Sequence, residues 1–303
     1  MAPTLAILGP TASGKSDLAL AVARHHPQVE LVSVDSMQVY VGMDIGTAKP
    51  SHDERVAVPH HLIDLVDPAD EYSVAEFQAA ARRALADIAA RDRVPVLVGG
   101  TGLYLRAVID DLELPGQYPD VRAELEAEAG TAVLHERLRA LDAVAADRME
   151  PTNRRRIVRA LEVTLGSGRP FSSFGPGLSE YGEIPFRQVG IQLDRPVLDE
   201  RIADRYQRQL EAGFVAEAAD LLARPGGLSR TARQALGYRE LFAHLEGGPP
   251  LDTAIEDAVR RTRRFARRQE RWFRRDPRIE WLTADRNPMD LLDTVLGEFG
   301  LCA

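Results

Sequence analysis

The chain has 303 residues, of which 45% are hydrophobic and 28% charged, a composition that excludes wholesale disorder and fibrous repeats. Its single cysteine, Cys302, excludes an internal disulfide and a multi-cysteine zinc site. The formal net charge is −8, and the sequence has neither a basic leader pattern nor an apolar run long enough to cross a bilayer. We therefore expect a cytoplasmic protein without membrane segments.

Apolar runs alternate with helical patterns in the first third of the sequence. The run Val94–Val98 is continuously apolar, as expected for a strand buried on both faces. Strands that alternate with helices predict a parallel sheet with helices on both faces. In chain order the predicted elements are a strand at Thr4–Leu8, a helix after Ser16, a strand at Glu30–Val34, a helix at Ser73–Arg91, the strand at Val94–Val98 and a helix from Thr101 to about Asp111.

The strand pattern disappears between Pro115 and Pro185. Helices are predicted there at Pro119–Ala129, Ala132–Leu141 and Asn153–Gly166, before a loop rich in glycine, serine and proline at Ser167–Gly182. A strand at Gln188–Leu193 follows, then helices at Val197–Ala212, Val215–Ala223, Tyr238–Leu245 and Leu251–Arg275, and an edge strand at Ile279–Leu282. The predicted fold class is α/β: a parallel sheet flanked by helices, built from residues 1–114 plus 186–303, with an all-helical insertion domain at residues 115–185.

The segment GPTASGKS fits the phosphate-binding pattern G-x-x-x-x-G-K-[ST] between the first strand and the first helix. Its glycines let the backbone curl so that N–H groups converge on phosphate oxygens. Lys15 can then reach the terminal phosphate, and the Ser16 hydroxyl can bind Mg²⁺. This loop indicates a P-loop NTPase-like core and leaves open whether ATP occupies it. The predicted phosphate-binding residues are Gly9, Pro10, Thr11, Ala12, Ser13, Gly14, Lys15 and Ser16.

Two polar residues follow predicted strands at the edge of the sheet where ligands bind in open α/β folds. Asp35 comes after the second strand, so we expect it to face the same crevice as Lys15. Three roles for Asp35 remain open: a metal ligand, a general base or a helix cap. Thr101 follows the strand at Val94–Val98, and its hydroxyl either caps the next helix or points into the crevice.

One segment is strongly basic although the whole chain is acidic. Residues 260–275 contain nine arginines and one glutamate in sixteen positions. A basic stripe on an acidic body is typical of a surface that binds a polyanion, and the alternative is a solvated helix face. We expect Phe265, Trp272 and Phe273 to anchor this helix to the core rather than to stack on bases.

Seven motifs occur in an order that resembles the bacterial tRNA dimethylallyltransferases, also called tRNA isopentenyltransferases. They are GPTASGKS, DSMQVY, IGTAKP, VGGTGLY, RRRIVRALEV, ALGYRE and RTRRFARRQERWFR, beginning at residues 9, 35, 45, 98, 154, 235 and 261. The resemblance covers nearly the whole chain, from Leu5 to about Trp281. The sequence departs from the family pattern at residues 154–156, which are three arginines where relatives often have a glutamine among them.

The resemblance implies transfer of a dimethylallyl group from dimethylallyl diphosphate to the exocyclic amine of the adenosine at tRNA position 37, next to the anticodon. The P-loop then binds the diphosphate, and Lys15, Ser16 and Mg²⁺ neutralise the leaving group. It also implies that Asp35 is the general base and that Thr101 contacts the substrate nucleotide. The adenine must be extruded from the anticodon loop to reach the buried diphosphate.

By the same resemblance, the tRNA anticodon stem-loop contacts residues from several segments of the chain. They are Asp35, Ser36, Met37, Gln38 and Thr101; Arg122, Arg155, Arg156, Ile157, Val158 and Arg159 in the insertion; and Arg233, Gln234, Ala235, Leu236, Gly237 and Tyr238. The Gln38 amide could read a base edge through two hydrogen bonds, and Arg205 is expected to help hold the diphosphate. Lys49 is either a phosphate contact or a surface lysine. We expect a monomer.

Three other functions compete with this hypothesis. A P-loop kinase for a small molecule explains the phosphate loop and Mg²⁺ but neither the basic helix nor the insertion. An isopentenyltransferase for free adenine nucleotides needs no surface for RNA, and a non-catalytic RNA-binding protein needs no working phosphate loop. Prenyl transfer to tRNA, prenyl transfer to AMP and phosphoryl transfer from ATP distinguish the enzymatic hypotheses from one another.

Overall fold

A computed structural model of the chain describes residues 4–128, 130–175, 177–178 and 180–300. The chain forms two compact units: the first runs through Asp110 and resumes at Glu183, and the second comprises Asp111–Gly182. Over the described ranges, no helix is both long and apolar enough to cross a membrane.

The elements follow the chain in the order predicted, with several short additions. Before Asp111 they are β1 (Thr4–Leu8), α1 (Lys15–His25), β2 (Val29–Val34), α2 (His52–Ala57), β3 (His60–His61), α3 (Val74–Ala90), β4 (Val94–Gly99) and α4 (Gly102–Ile109). The second unit contains α5 (Pro119–Ala127), α6 (Thr131–Leu141), α7 (Ala143–Asp147), α8 (Arg154–Ser167) and a 3₁₀ turn at Phe171–Ser173. The first unit then continues with β5 (Phe186–Leu193), α9 (Arg195–Glu211), α10 (Phe214–Leu222), α11 (Arg230–Arg233), α12 (Tyr238–Leu245), α13 (Leu251–Phe273), β6 (Ile279–Ala284), a 3₁₀ turn at Pro288–Leu291 and α14 (Leu292–Gly300).

The six strands form one parallel sheet in the order β3-β2-β4-β1-β5-β6. This arrangement confirms the predicted α/β class with its P-loop NTPase-like parallel sheet, and it places β6 at an edge, as expected for Ile279–Leu282. Val34 and Leu8 both lie opposite Gly99 in the register, so β1, β2 and β4 end side by side. The three loops that follow these strands therefore meet at one edge of the sheet.

Two apolar layers cover the sheet because successive strand residues point to opposite faces. On one face, Leu8 and Val34 belong to a core that includes Phe77 of α3 and Phe214 of α10. On the other face, Ile7 packs with residues of α1 and α14. Both faces are buried, which explains why Val94–Val98 reads as a continuously apolar run.

Several short elements are absent from the sequence prediction because no periodic apolar pattern marks them. β3 contains two residues, and α2 has no buried residue of its own. α14 is held by Val295 and Phe299, which pack on the α1 side of the sheet. The Phe299 ring lies 4.5 Å from that of His26, at the end of α1. These elements depend on tertiary contacts rather than on their local sequence.

Candidate functional site

The P-loop joins β1 to α1 and curls back on itself. Ala12 and Gly14 have φ values of 64° and 83°, so both lie in the left-handed region. A Cβ at position 14 would come within 2.5 Å of the Pro288 ring, which explains the need for glycine there. α1 begins directly after Gly14, at Lys15, so its free N–H groups face the loop. This geometry is that of an anion-binding loop at a helix N-terminus.

Of the eight predicted phosphate-binding residues, five line a cavity and three lie behind it. A cavity of about 1580 Å³ is lined by Thr11, Ala12, Gly14, Lys15 and Ser16. Gly9, Pro10 and Ser13 are buried behind this surface. The Ser13 hydroxyl has no hydrogen-bond partner among the described residues. These three residues shape the loop behind the residues that line the cavity.

Three cationic side chains surround the P-loop. The Lys15 ammonium donates a 3.3 Å hydrogen bond to the Pro10 carbonyl, and Arg201 donates a 2.9 Å bond to that of Ala12. Arg205 donates to the Thr11 hydroxyl at 3.1 Å. None of the three cations pairs with a carboxylate in the part of the chain that the structure describes. Burial lowers the pKa of Lys15 to about 8. Three neighbouring cations without a carboxylate partner among the described residues suit a polyanion.

Arg201 was not among the residues predicted from the sequence. It lies one helical turn before Arg205 on α9, so the two guanidinium groups share a face of that helix. The spacing of four residues was the available signal. It became informative only after Arg205 was placed beside the loop, because residues 17–194 separate the P-loop from α9 in sequence.

Asp35 lines the same cavity, at the end of β2. Its Oδ1 accepts hydrogen bonds from the backbone N–H groups of Met37 at 2.8 Å and Gln38 at 3.4 Å. Its Oδ2 accepts none from the described residues. One oxygen thus stabilises the turn after the strand, which matches the capping hypothesis in part, and the other is available to a ligand.

Thr101 occupies the N-cap position of α4, but its side chain makes no capping hydrogen bond. Instead its hydroxyl accepts a 3.2 Å bond from the Ser36 N–H and lies 3.5 Å from the Ser36 hydroxyl. The alternative that Thr101 caps the helix through its side chain is therefore wrong. The hydroxyl lines the cavity and joins the loops that follow β2 and β4.

The Gln38 amide is fully engaged within the protein. Its Oε1 accepts a 2.7 Å hydrogen bond from the Ser33 hydroxyl, and its Nε2 donates to the carbonyls of Thr47 and Ala48 at 3.3 and 3.2 Å. Reading a base edge with this amide would break these bonds. The geometry therefore contradicts the predicted two-point base contact and gives Gln38 the role of holding the loop at 47–48.

Lys49 is buried, with 1% of its side chain exposed. Its ammonium donates to the Tyr40 carbonyl at 2.6 Å and pairs with Asp44 at 2.6 Å and Asp64 at 2.5 Å. All three N–H donors are thus used. Neither hypothesis for Lys49, a phosphate contact or a surface lysine, is correct. A compact ammonium with three donors suits this pocket better than a planar guanidinium would.

The arginines of α13 fall into two groups. Arg264, Arg268 and Arg271 are exposed, line the cavity and have no carboxylate partner in the described ranges. They occur at i, i+4 and i+7, so they share one face of the helix. Other arginines of the run are paired with acids: Arg260 with Asp257, Arg261 with Glu240 and Arg263 with Asp199. The stripe of Arg264, Arg268 and Arg271 therefore lines the cavity with charges that no acid of the described residues neutralises.

Gln269 attaches α13 to the P-loop, a contact that the sequence prediction missed. It is buried, accepts a 2.9 Å bond from the Thr11 N–H and donates a 2.8 Å bond to the Gly100 carbonyl. Trp272 and Phe273 pack on the core, as predicted. Phe265 does not: it is half-buried, lines the cavity and lies 5.6 Å below the Arg268 guanidinium. Its predicted role as a core anchor is wrong.

The segment 233–238 is only partly accessible. Gln234, Ala235, Leu236 and Tyr238 all border the cavity, but Ala235 and Tyr238 are buried. Arg233 pairs with Glu246 on the surface. Gly237 is buried with a left-handed φ of 84°, and α12 starts directly after it. A predicted RNA contact by the Tyr238 side chain is therefore incompatible with its position.

The predicted RNA contacts in the second unit also divide by burial. Arg155 and Arg156 are exposed near the start of α8. Ile157 and Val158 are buried in the core of this unit, so their side chains cannot contact RNA. Arg159 and Arg122 both reach the buried carboxylate of Glu162, at 2.8 and 3.5 Å. Their charges are partly neutralised within the protein, unlike those of Arg155 and Arg156.

Two relatives match almost the whole chain. It is 49% identical over 304 residues to a tRNA dimethylallyltransferase of Kineococcus radiotolerans. The alignment covers 97% of this chain and 95% of that protein. A tRNA dimethylallyltransferase of Thermobifida fusca is 50% identical, over 97% of this chain and 93% of that protein.

Two solved structures are also similar to this chain. The tRNA isopentenylpyrophosphate transferase of Bacillus halodurans superposes with a TM-score of 0.70 and 38% identity, over 99% of this chain and 97% of that one. A eukaryotic dimethylallyltransferase acting on tRNA gives a TM-score of 0.81 and 25% identity, over 99% and 78% of the two chains.

The parallel sheet, the glycine loop at its edge and the cations around that loop define a P-loop protein of the α/β class. A family model described as IPP transferase matches residues 38–276, and one described as isopentenyl transferase matches residues 3–61. The chain belongs to the IPP transferase family, which confirms the resemblance seen in the seven motifs.

Proposed function

We propose that the protein transfers the dimethylallyl group of dimethylallyl diphosphate to the exocyclic amine of the adenosine at position 37 of tRNA, next to the anticodon. One observation carries this proposal. Three unpaired cations, Lys15, Arg201 and Arg205, surround the P-loop, and the free oxygen of Asp35 lines the same cavity. The cations suit a diphosphate, and the carboxylate suits an acceptor that must lose a proton. Family membership supports the prenyl donor and the tRNA acceptor.

The residues of the site have complementary roles in this reaction. The adenine nitrogen attacks C1 of the dimethylallyl group, the C1–oxygen bond breaks, and its electron pair leaves with the diphosphate. The amine proton passes to Asp35 Oδ2, while Oδ1 stays bonded to the Met37 N–H and keeps the carboxylate in place. Lys15 and the two arginines stabilise the charge that develops on the leaving group.

The oxygen donors at the site fit a magnesium ion. Ser16 lines the cavity directly after Lys15 and offers a hydroxyl oxygen, and the diphosphate itself offers further oxygens. Mg²⁺ is usually bound by few protein groups together with water and phosphate oxygens. When bound, Mg²⁺ would supply further neutralisation of the diphosphate.

The acceptor adenine must leave its stack to reach Asp35. Unstacking a base costs a few kcal/mol, and contacts elsewhere on the RNA must offset this cost. The unpaired stripe Arg264, Arg268 and Arg271 borders the same cavity and offers guanidinium groups to phosphates. We assign it to the anticodon stem-loop, together with the exposed Arg155 and Arg156 of the second unit. A tRNA acceptor is in keeping with a cytoplasmic location.

The proposal is tested by incubating the purified protein with radiolabelled dimethylallyl diphosphate, Mg²⁺ and a tRNA that carries adenosine at position 37. We expect label in this tRNA and none in a matched tRNA with guanosine at that position. Label in AMP but not in tRNA would assign the protein to free nucleotides instead. Phosphoryl transfer from ATP without prenyl transfer would indicate a kinase.

A second prediction concerns the arginine stripe. We expect the triple variant Arg264→Gln, Arg268→Gln and Arg271→Gln to bind tRNA more weakly and with a shallower salt dependence. Because each phosphate contact to single-stranded RNA contributes about 0.7 to the slope of log K against log salt, the slope should fall by about 2. Filter binding at several salt concentrations measures this change, and the KM for dimethylallyl diphosphate should stay constant.

A matched control removes the same charge away from the cavity. Arg24, Arg260 and Arg275 are exposed and do not line it, so their triple glutamine variant tests the effect of net charge alone. If both triple variants show the same salt slope, the stripe does not contact the RNA.

A further inference from the structure

The loop at residues 44–46, within the IGTAKP region, is held by a single carboxylate. Glu217 of α10 accepts hydrogen bonds from three successive backbone N–H groups: Asp44 at 3.0 Å, Ile45 at 2.8 Å and Gly46 at 3.2 Å. Its Oε1 also accepts a 2.6 Å bond from the Tyr238 hydroxyl. Four donors thus converge on one side chain, and no cation pairs with Glu217 in the described part of the chain. The family motifs around residues 45 and 238 meet at this residue.

The carbonyl groups of the same loop accept hydrogen bonds from Gln209 and from Arg205, which lies beside the P-loop. Gln209 donates to the Ile45 and Gly46 carbonyls at 2.6 and 3.1 Å. Arg205 donates through one nitrogen to the Gly46 carbonyl at 3.3 Å and through the other to the Thr11 hydroxyl at 3.1 Å. The Gly46 carbonyl is therefore one of two groups that orient the Arg205 guanidinium. Both are neutral, so they direct the charge without cancelling it.

Close packing and the charge of Glu217 together hold the loop in place. A Cβ at position 46 would come within 2.4 Å of the Phe214 and Tyr238 rings, so the backbone is packed closely against both. Hydrogen bonds from N–H groups to a carboxylate are about twice as strong as those between neutral groups. An amide of the same shape could accept through its one oxygen only, and its NH₂ group would face the donors at the other end without accepting from them. The negative charge is thus required, and not only the shape of the side chain.

We propose that Glu217 is a positioning residue for the diphosphate donor: it fixes the peptide at residues 44–46, and the Gly46 carbonyl in turn orients Arg205 towards the P-loop. This inference rests on the proposed function, since it assumes that the P-loop binds a diphosphate. It gives the IGTAKP and ALGYRE motifs a shared role on the donor side, distinct from the RNA contacts implied for the second of them.

The variant Glu217→Gln tests the proposal in the full-length protein. We expect its KM for dimethylallyl diphosphate to rise about 10-fold, since unpaired N–H groups displace the loop, while kcat falls less and the Kd for tRNA stays within about 2-fold. The control is Asp220→Asn, which removes an exposed carboxylate one turn further along α10. An unchanged KM in the Glu217 variant would overturn the proposal.

Binding of inorganic diphosphate, measured by calorimetry, separates this inference from the proposed function. We expect the unaltered protein to bind diphosphate and Glu217→Gln to bind it about 10-fold more weakly. If the unaltered protein binds diphosphate but transfers no prenyl group, the proposed function fails while the positioning role stands. If both proteins bind it equally, only the positioning role fails.

A milder variant covers the case in which Glu217→Gln does not fold. Tyr238→Phe removes one of the four hydrogen bonds and leaves the carboxylate with three backbone donors. We expect a rise of about 2- to 5-fold in the KM for the donor, with the thermal unfolding midpoint little changed. A loss of stability with no change in this KM would assign the Glu217 cluster to folding alone and overturn the proposal.

Discussion

Replacing Asp35 with asparagine is expected to lower the rate of prenyl transfer by about 10²- to 10⁴-fold, the usual contribution of a general base. An adenine amine is a weak nucleophile because its lone pair is delocalised into the ring, so proton removal in the transition state matters. The amide Oδ1 can still accept from the Met37 and Gln38 N–H groups, which keeps the turn after β2 intact. Single-turnover transfer to tRNA measures the chemical step directly.

The Asp35 variant should change the chemistry without changing binding. We expect its Kd for tRNA to stay close to that of the unaltered protein, because the fold of the turn is kept. Asp17→Asn is the matched control, since Asp17 is an exposed carboxylate that lines the same cavity. A rate for Asp35→Asn equal to that of the Asp17 control would remove Asp35 as the base.

The second large effect is expected for Lys15→Ala. Lys15 is a half-buried cation with no carboxylate partner among the described residues, so it is free to bind the diphosphate. Loss of a charged hydrogen-bond partner costs about 1.5–3 kcal/mol, which corresponds to roughly a 10- to 150-fold fall in kcat/KM for the donor. Steady-state kinetics with the donor as the varied substrate measures it. An undiminished kcat/KM would contradict the assignment of the P-loop to diphosphate.

The lowered pKa of Lys15 adds a pH dependence to the same prediction. Burial holds this pKa at about 8, so the ammonium is charged below pH 8 and loses its proton above it. Because kcat/KM reports groups of the free enzyme, it should fall above about pH 8. Lys15→Arg keeps its charge over this range, so its profile should lack that fall even if its rate is lower. The same fall in Lys15→Arg would assign the titration to another group.

The part of the site that the sequence could predict is the part that local pattern encodes. The spacing of glycines, lysine and serine in residues 9–16 requires a curled backbone before a helix, whatever surrounds it. Asp35 and Thr101 could be placed beside this loop because parallel strands end at a common edge, and the register of Val34 with Gly99 confirms that edge. The basic character of residues 260–275 is likewise visible in the composition alone.

The remaining roles depend on which residues meet across the fold. Lys49 and Tyr238 differ from their predicted roles because their partners, Asp64 and Glu217, are separated from them in sequence by loops and helices. Gln269 meets Thr11 across 258 positions, a contact that no sequence spacing indicates. The sequence by itself therefore determined which charged groups and which motifs the chain carries. Only the tertiary structure decided which of those groups are neutralised inside the protein and which stay free for a ligand, because neutralisation depends on distances between residues that are remote in the chain.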